Sequence, residues 1–112
     1  MSKLKDYGFA LVKQKFSEGE VQSRIVQQVP EGSNSVLNFI NRLDKHETES
    51  FIFDLERCLN SNSNVDEGFF SDSVEDIDIF YQYPNVNIDN ILLIPMSDMK
   101  MILVEWLNFA YS

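Results

Sequence analysis

The stretch DIDIFYQYPNVNIDNILLIPMSDMKMILVEWLNFA, residues 76–110, contains the two patterns that decide the fold class. Residues 76–83 alternate between two faces, which predicts a strand. One face holds Ile77, Ile79, Tyr81 and Tyr83, and the other holds Asp76, Asp78, Phe80 and Gln82. Pro84-Asn85 and Asp89-Asn90 then bracket a predicted turn region. Residues 91–94 are wholly apolar and predict a second, short strand.

Beyond Pro95 the pattern changes to the spacing of a helix, with Ser97 as the expected N-cap. The apolar stripe consists of Met99, Ile102, Leu103, Trp106, Leu107 and Ala110. Trp106 lies in the middle of this stripe, so we expect its ring in the core. The strands and this C-terminal amphipathic helix predict an α+β fold, in which a mostly antiparallel sheet packs against two or three helices.

The N-terminal third predicts a β-hairpin. Residues 7–16 and 21–29 are the two strands, and residues 17–20 supply the turn. The second segment also fits a helical phase, so a helix is the alternative there.

Two helices are expected after the hairpin. The first has its apolar stripe within residues 36–43, with Ser33 or Asn34 as its N-cap and Lys45 and His46 in its last turn. The second covers residues 51–59, with Thr48 as its N-cap. Alternation through residues 51–53 leaves a strand as the competing interpretation of that segment.

The length and composition predict one domain over residues 1–112. The hydrophobic share of 44%, with nine Phe, is ample for a packed core. The single cysteine, Cys58, cannot form an internal disulfide, and it is expected on the buried face of a helix. No apolar stretch is long enough to span a membrane, so the simplest expectation is a cytoplasmic protein.

Acidic residues are concentrated in one block of the sequence. No Lys or Arg occurs between Arg57 and Lys100, and the net charge of the chain is −9. The acidic residues of this interval are Asp66, Glu67, Asp72, Glu75, Asp76, Asp78, Asp89 and Asp98. Such a surface repels nucleic acid and attracts basic proteins, although a solvated face that serves solubility has the same composition.

The chain lacks the residues that several classes of function require. One Cys and one His cannot form a structural zinc site, and residues 72–78 lack the central Gly and the terminal Glu of a calcium loop. The basic residues are few and mostly N-terminal, which argues against a nucleic-acid groove. We therefore expect no enzyme, no cofactor, no metal site and no direct nucleic-acid binding.

Three segments carry a resemblance to a known class of proteins: GFFSDSVEDIDIF at 68–80, IPMSDMK at 94–100 and EWLNF at 105–109. Over roughly the last 45 residues the chain resembles the small immunity proteins of bacterial contact-dependent growth inhibition. The resemblance implies that the chain binds a cognate toxin domain, often a basic nuclease (an RNase or a DNase), and neutralises it by covering its active site or substrate surface.

The expected partner-binding residues combine acids with aromatic anchors: Asp72, Glu75, Asp76, Asp78, Phe80, Phe69 and Phe70. The acids are expected to pair with Lys or Arg of the toxin, and an aromatic ring to fill a pocket. The loop around residues 69 and 70 either tucks both rings under the domain or presents one of them. A small acidic adaptor for an unrelated basic partner is the alternative function, and the sequence leaves the oligomeric state open.

Overall fold

The C-terminal half forms a three-stranded antiparallel sheet in the computed structural model, which describes residues 2–15, 19–28 and 32–111. Its strands are β3 (Ile79–Gln82), β4 (Asn85–Ile88) and β5 (Leu92–Pro95), in the order β3-β4-β5. The strand predicted over residues 76–83 is confirmed only in its second half. Strand β4 lies where the sequence predicts a turn region, so that region is divided into one turn at residues 83–84 and a second at residues 89–91, where Asp89 and Asn90 have left-handed backbone.

Helix α3 (Met96–Tyr111) follows β5 directly and confirms the predicted C-terminal helix. Ser97 is not its N-cap, because the helix already begins at Met96. Trp106 is only 2% exposed, so its predicted place in the core is confirmed.

The N-terminal hairpin is confirmed as well. Strands β1 (Phe9–Lys15) and β2 (Val21–Gln27) pair antiparallel in a separate two-stranded sheet, with Leu11 opposite Ile25. Half of the predicted turn, at residues 17 and 18, lies outside the described residues, as do the predicted strand ends at residues 16 and 29. A one-turn helix, α1 (Lys3–Asp6), precedes the hairpin and was not predicted.

The middle of the chain forms a 3₁₀ helix (Ser33–Arg42) and then helix α2 (Lys45–Ser61). The helix over residues 51–59 is confirmed, and the strand alternative is wrong. His46 lies in the first turn of α2 rather than in the last turn of the preceding helix. Thr48 is not the N-cap, because Asp44 has that role: its carboxylate accepts a hydrogen bond of 2.7 Å from the backbone N–H of Glu47.

The core lies between the helices and the inner faces of the two sheets. Helices α2 and α3 pack against each other, and Phe51 of α2 reaches the three-stranded sheet, where its ring lies 6.3 Å from that of Tyr81. Cys58 is fully buried, as predicted. This single core unites all the elements, and the predicted α+β class is confirmed.

Candidate functional site

Five of the seven predicted partner-binding residues line one shallow depression. They are Phe69, Phe70, Asp72, Glu75 and Asp78, which line it together with Ser71, Val74 and Ile77. We call this site the acidic depression, and its volume is about 290 Å³. A 3₁₀ turn, Asp72–Val74, forms one wall.

Backbone hydrogen bonds fix the start of the acidic depression to strand β3. The N–H of Phe69 donates to the carbonyl of Ile79 at 3.0 Å, and the N–H of Tyr81 donates to the carbonyl of Glu67 at 2.9 Å. Gly68 lies between them and forms a β-bridge with Phe80. A short extended segment therefore covers the outer edge of β3 and holds the loop that follows it.

The two neighbouring rings of this loop have opposite environments. Phe69 is 5% exposed and stacks on Phe51, with ring centroids 4.4 Å apart and planes 7° from parallel. Phe70 is 67% exposed. Phe69 is thus a core residue rather than the exposed anchor that was predicted as one option, and Phe70 is the ring that the loop presents.

Asp76 lies outside the acidic depression and already has a cationic partner. Its Oδ1 accepts a hydrogen bond of 2.7 Å from Nη1 of Arg42, at the end of the first 3₁₀ helix. This hydrogen bond lowers the pKa of the Asp76 carboxyl. The ion pair joins two loops of the protein, so Asp76 is less available to a partner's cation than its sequence neighbours are.

Phe80 lies on the outer face of the three-stranded sheet, away from the acidic depression. Together with Asp66, Glu67 and Gln82 it lines a second depression of about 610 Å³. The predicted common face of Asp76, Asp78, Phe80 and Gln82 is not formed, because the first two precede the strand. The predicted site residues therefore fall into two neighbouring surfaces and one ion pair.

Most carboxylates of the acidic block lack a cation of this chain. Asp76 pairs with Arg42, and Asp98 pairs with Lys3 at 3.4 Å. Within residues 2–15, 19–28 and 32–111, none of the other six is within ion-pair distance of a Lys or Arg. These six are Asp66, Glu67, Asp72, Glu75, Asp78 and Asp89.

One carboxylate just outside the block is partly buried, with its side chain 20% exposed, and serves the fold. Asp54 of α2 accepts a hydrogen bond of 2.8 Å from the hydroxyl of Tyr81 and lies 3.8 Å from Arg57. Burial, and secondly this hydrogen bond, raise the pKa of the Tyr81 hydroxyl. The contrast separates structural carboxylates, which have partners in the chain, from the six that face outward.

The described part of the chain does not bring together a set of metal ligands, nor its single His and single Cys. Among the described residues, no group of three or more His, Cys, Asp or Glu side chains is placed to hold a metal ion. His46 and Cys58 lie at opposite ends of α2, about 18 Å apart along the axis at 1.5 Å per residue. None of the helices in the described part of the chain has the length and apolar content that crossing a bilayer requires.

Sequence analysis did not identify two features of this region. The first is the ion pair of Asp76, which depends on Arg42, 34 positions earlier in the sequence. The second is the outer face of the sheet around Asn87 and Leu93, since the sequence predicts a turn region where β4 lies. Strand alternation at residues 85–88 was the available signal, with Val86 and Ile88 buried and the alternating Asn85 and Asn87 partly exposed.

The chain matches no protein-family model, and neither the curated proteins nor the solved structures contain a chain similar to it.

Proposed function

We propose that this chain is an immunity protein, which binds a basic toxin domain of the nuclease class and neutralises it through the acidic depression. The proposal starts from the resemblance of residues 68–80 and of the C-terminal helix to the immunity proteins of contact-dependent growth inhibition. The geometry of the site adds an independent reason.

The observation that carries the proposal is the set of outward-facing carboxylates without a cation of the chain, beside one exposed ring. Asp72, Glu75 and Asp78 surround the acidic depression, and Phe70 stands at its rim with two thirds of its surface in solvent. Like charges held together in this way cost stability, and a basic partner would relieve the repulsion. An exposed aromatic ring beside them is the residue type that most often anchors a protein interface.

A nuclease is a suitable partner because its active site is built to attract phosphate. Its cationic cleft would be complementary to the acidic depression, and the attraction would accelerate encounter between the two proteins. Once the cleft is covered, the nucleic-acid substrate is excluded both by volume and by the negative field. Inhibition then requires no chemistry from this chain.

Growth rescue tests the proposal. The toxin domain encoded immediately upstream in the native genome is induced in a sensitive host, with and without co-expression of this chain. We expect full rescue by the wild type and loss of rescue by the double variant Asp72→Lys, Glu75→Lys. The purified pair should associate about tenfold or more slowly in that variant at low salt.

The matched control is Glu20→Lys with Glu49→Lys, which makes the same change in net charge at two exposed acids outside the block. This control should still rescue growth. Failure of soluble wild-type protein to rescue would refute the immunity proposal. That outcome would favour the adaptor alternative, in which the basic partner is unrelated to a toxin.

A further inference from the structure

The outer face of the three-stranded sheet presents an uncharged surface. The strand register places its side chains in two rows across the sheet, Phe80, Asn87 and Leu93 in one and Gln82, Asn85 and Pro95 in the other. None of the six is buried, and none is charged. We call this surface the sheet face.

Large apolar side chains are exposed on and beside the sheet face. Leu93 is 55% exposed, and Ile91, in the turn that leads into β5, is 54% exposed. Phe80 is partly exposed on the same side. Depletion of charge together with exposed aromatic and aliphatic side chains is the composition of an interface centre.

Carboxylates border the sheet face on two sides. Asp66 and Glu67 share the second depression with Phe80 along the edge of β3. At one end of the sheet, Asp78 and Asp89 are held together, because the N–H of Asp89 donates to the carbonyl of Asp78 at 2.6 Å. All four belong to the six carboxylates without a cation of the chain, so the rim of the sheet face is negative.

The charge of the rim decides between two occupants. A second copy of the chain, stacked by a two-fold axis, would place this acidic rim against itself in a protein of net charge −9. A basic protein would pair its Lys and Arg with the rim while an apolar side chain covers Leu93 and Phe80. Charge complementarity therefore favours the basic partner.

We infer that the sheet face is the centre of a docking surface for a basic protein that presents an apolar side chain between Lys or Arg residues. The inference rests on the proposed function for the basic character of the partner, and it adds the place of contact. The acidic depression then lies beside this contact, with Asp78 common to both surfaces.

Selection of binding peptides tests the docking surface without knowledge of the natural partner. A phage-displayed library of random peptides is panned against the immobilised full chain, and the enriched peptides are measured against purified variants. Leu93→Arg adds a charge and removes the apolar centre, while Gln82→Lys adds a charge at an exposed polar position of the same face. Met101→Arg is the matched control, because Met101 is 48% exposed on α3, away from the sheet face.

We expect the enriched peptides to contain Lys or Arg around an apolar residue. Their affinity for Leu93→Arg and for Gln82→Lys should be about tenfold or more below their affinity for the wild type, which corresponds to the loss of one central contact. Their affinity for Met101→Arg should stay within about twofold of the wild-type value. Circular dichroism of each variant establishes that it is folded, and Gln82→Lys keeps the test decisive if Leu93→Arg unfolds. Three outcomes overturn the inference: no enrichment, peptides without basic residues, or equal binding by the wild type and the sheet-face variants.

The growth assay separates this inference from the proposed function. If folded Leu93→Arg rescues growth and the peptides bind the sheet-face variants as well as the wild type, the docking surface is refuted and the immunity proposal stands. If basic peptides require Leu93 for binding but the wild type does not rescue growth, the docking surface stands and the toxin is excluded as its partner.

Discussion

At position 68 the chain has no room for a side chain, because strand β3 passes too close. A Cβ on Gly68 would overlap the carbonyl oxygen of Ile79 and would lie 3.2 Å from the Cα of Phe80. Since both are backbone atoms, neither can move aside by rotation of a side chain. We expect Gly68→Ala to lower the free energy of unfolding by about 1–3 kcal/mol, as overpacking does, in urea denaturation followed by tryptophan fluorescence.

Gly32 provides the matched control for this substitution. Apart from its chain neighbours, no atom of the described residues lies within 4 Å of a Cβ built there, and its φ of −170° is open to any residue. Gly32→Ala should therefore change the free energy of unfolding by less than about 0.5 kcal/mol. Equal losses in the two variants would contradict the role of close approach at position 68.

Two distinctions within the site are not visible in the local sequence. Phe69 and Phe70 are identical in type and adjacent, and their different exposure depends on Phe51, which packs on the first of them. Asp76 resembles Asp78 in sequence, yet only Asp76 is within reach of Arg42. Both distinctions are set by residues far away along the chain, so the local pattern could predict an acidic and aromatic surface but not the role of each member.

At the scale of elements, Asp44 determines where helix α2 begins. Its carboxylate accepts from the N–H of Glu47, and the Glu47 carboxylate accepts from the N–H of Asp44 at 3.0 Å, which is a capping box. We expect Asp44→Ala to lower the free energy of unfolding by about 1 kcal/mol in urea denaturation. Glu49→Ala, at an exposed position just beyond the first turn, should have little effect, and a comparable loss there would argue that general acidity near the N-terminus matters more than the cap.

Helix α2 and strand β4 explain two errors in the predicted elements. The apolar stripe of α2 starts at Phe51, so the sequence directs attention to Thr48 as cap, although Asp44 and Glu47 have the capping-box spacing one turn earlier. Strand β4 contains Asn85 and Asn87, and asparagine is uncommon in strands. Pairing with β3 and β5 on both sides overrides that preference, and this pairing is not visible in the local sequence.

For the whole molecule, the change from alternating to helical periodicity within residues 76–110 was sufficient to predict the α+β class. It was not sufficient to predict two separate sheets. Membership of a sheet depends on which strands meet across the core, and the 3₁₀ helix and α2 stand between the hairpin and the C-terminal strands in the chain.

The charge distribution is a property of the whole molecule with a cost that can be measured. Six carboxylates of the acidic block lack a cation of the chain in the described residues, so their mutual repulsion opposes folding and weakens as salt is added. If a basic partner occupies this surface, the same acids that lower the stability of the free protein strengthen its binding to the partner. Stability and function should then change in opposite directions when these acids are neutralised.

Neutralising two of these acids, with Asp72→Asn and Glu75→Gln, should raise the melting temperature at low salt. Relief of about 0.5 kcal/mol of repulsion corresponds to about 2–4 °C in a domain of this size. The gain should disappear near 1 M NaCl, where charges are screened beyond about 3 Å. Glu20→Gln with Glu49→Gln makes the same change in net charge outside the block and should raise the melting temperature less. Scanning calorimetry at both salt concentrations measures these melting temperatures. Equal gains in the two double variants would assign the cost to net charge alone. A lower melting temperature in Asp72→Asn, Glu75→Gln would show that the two carboxylates stabilise the fold.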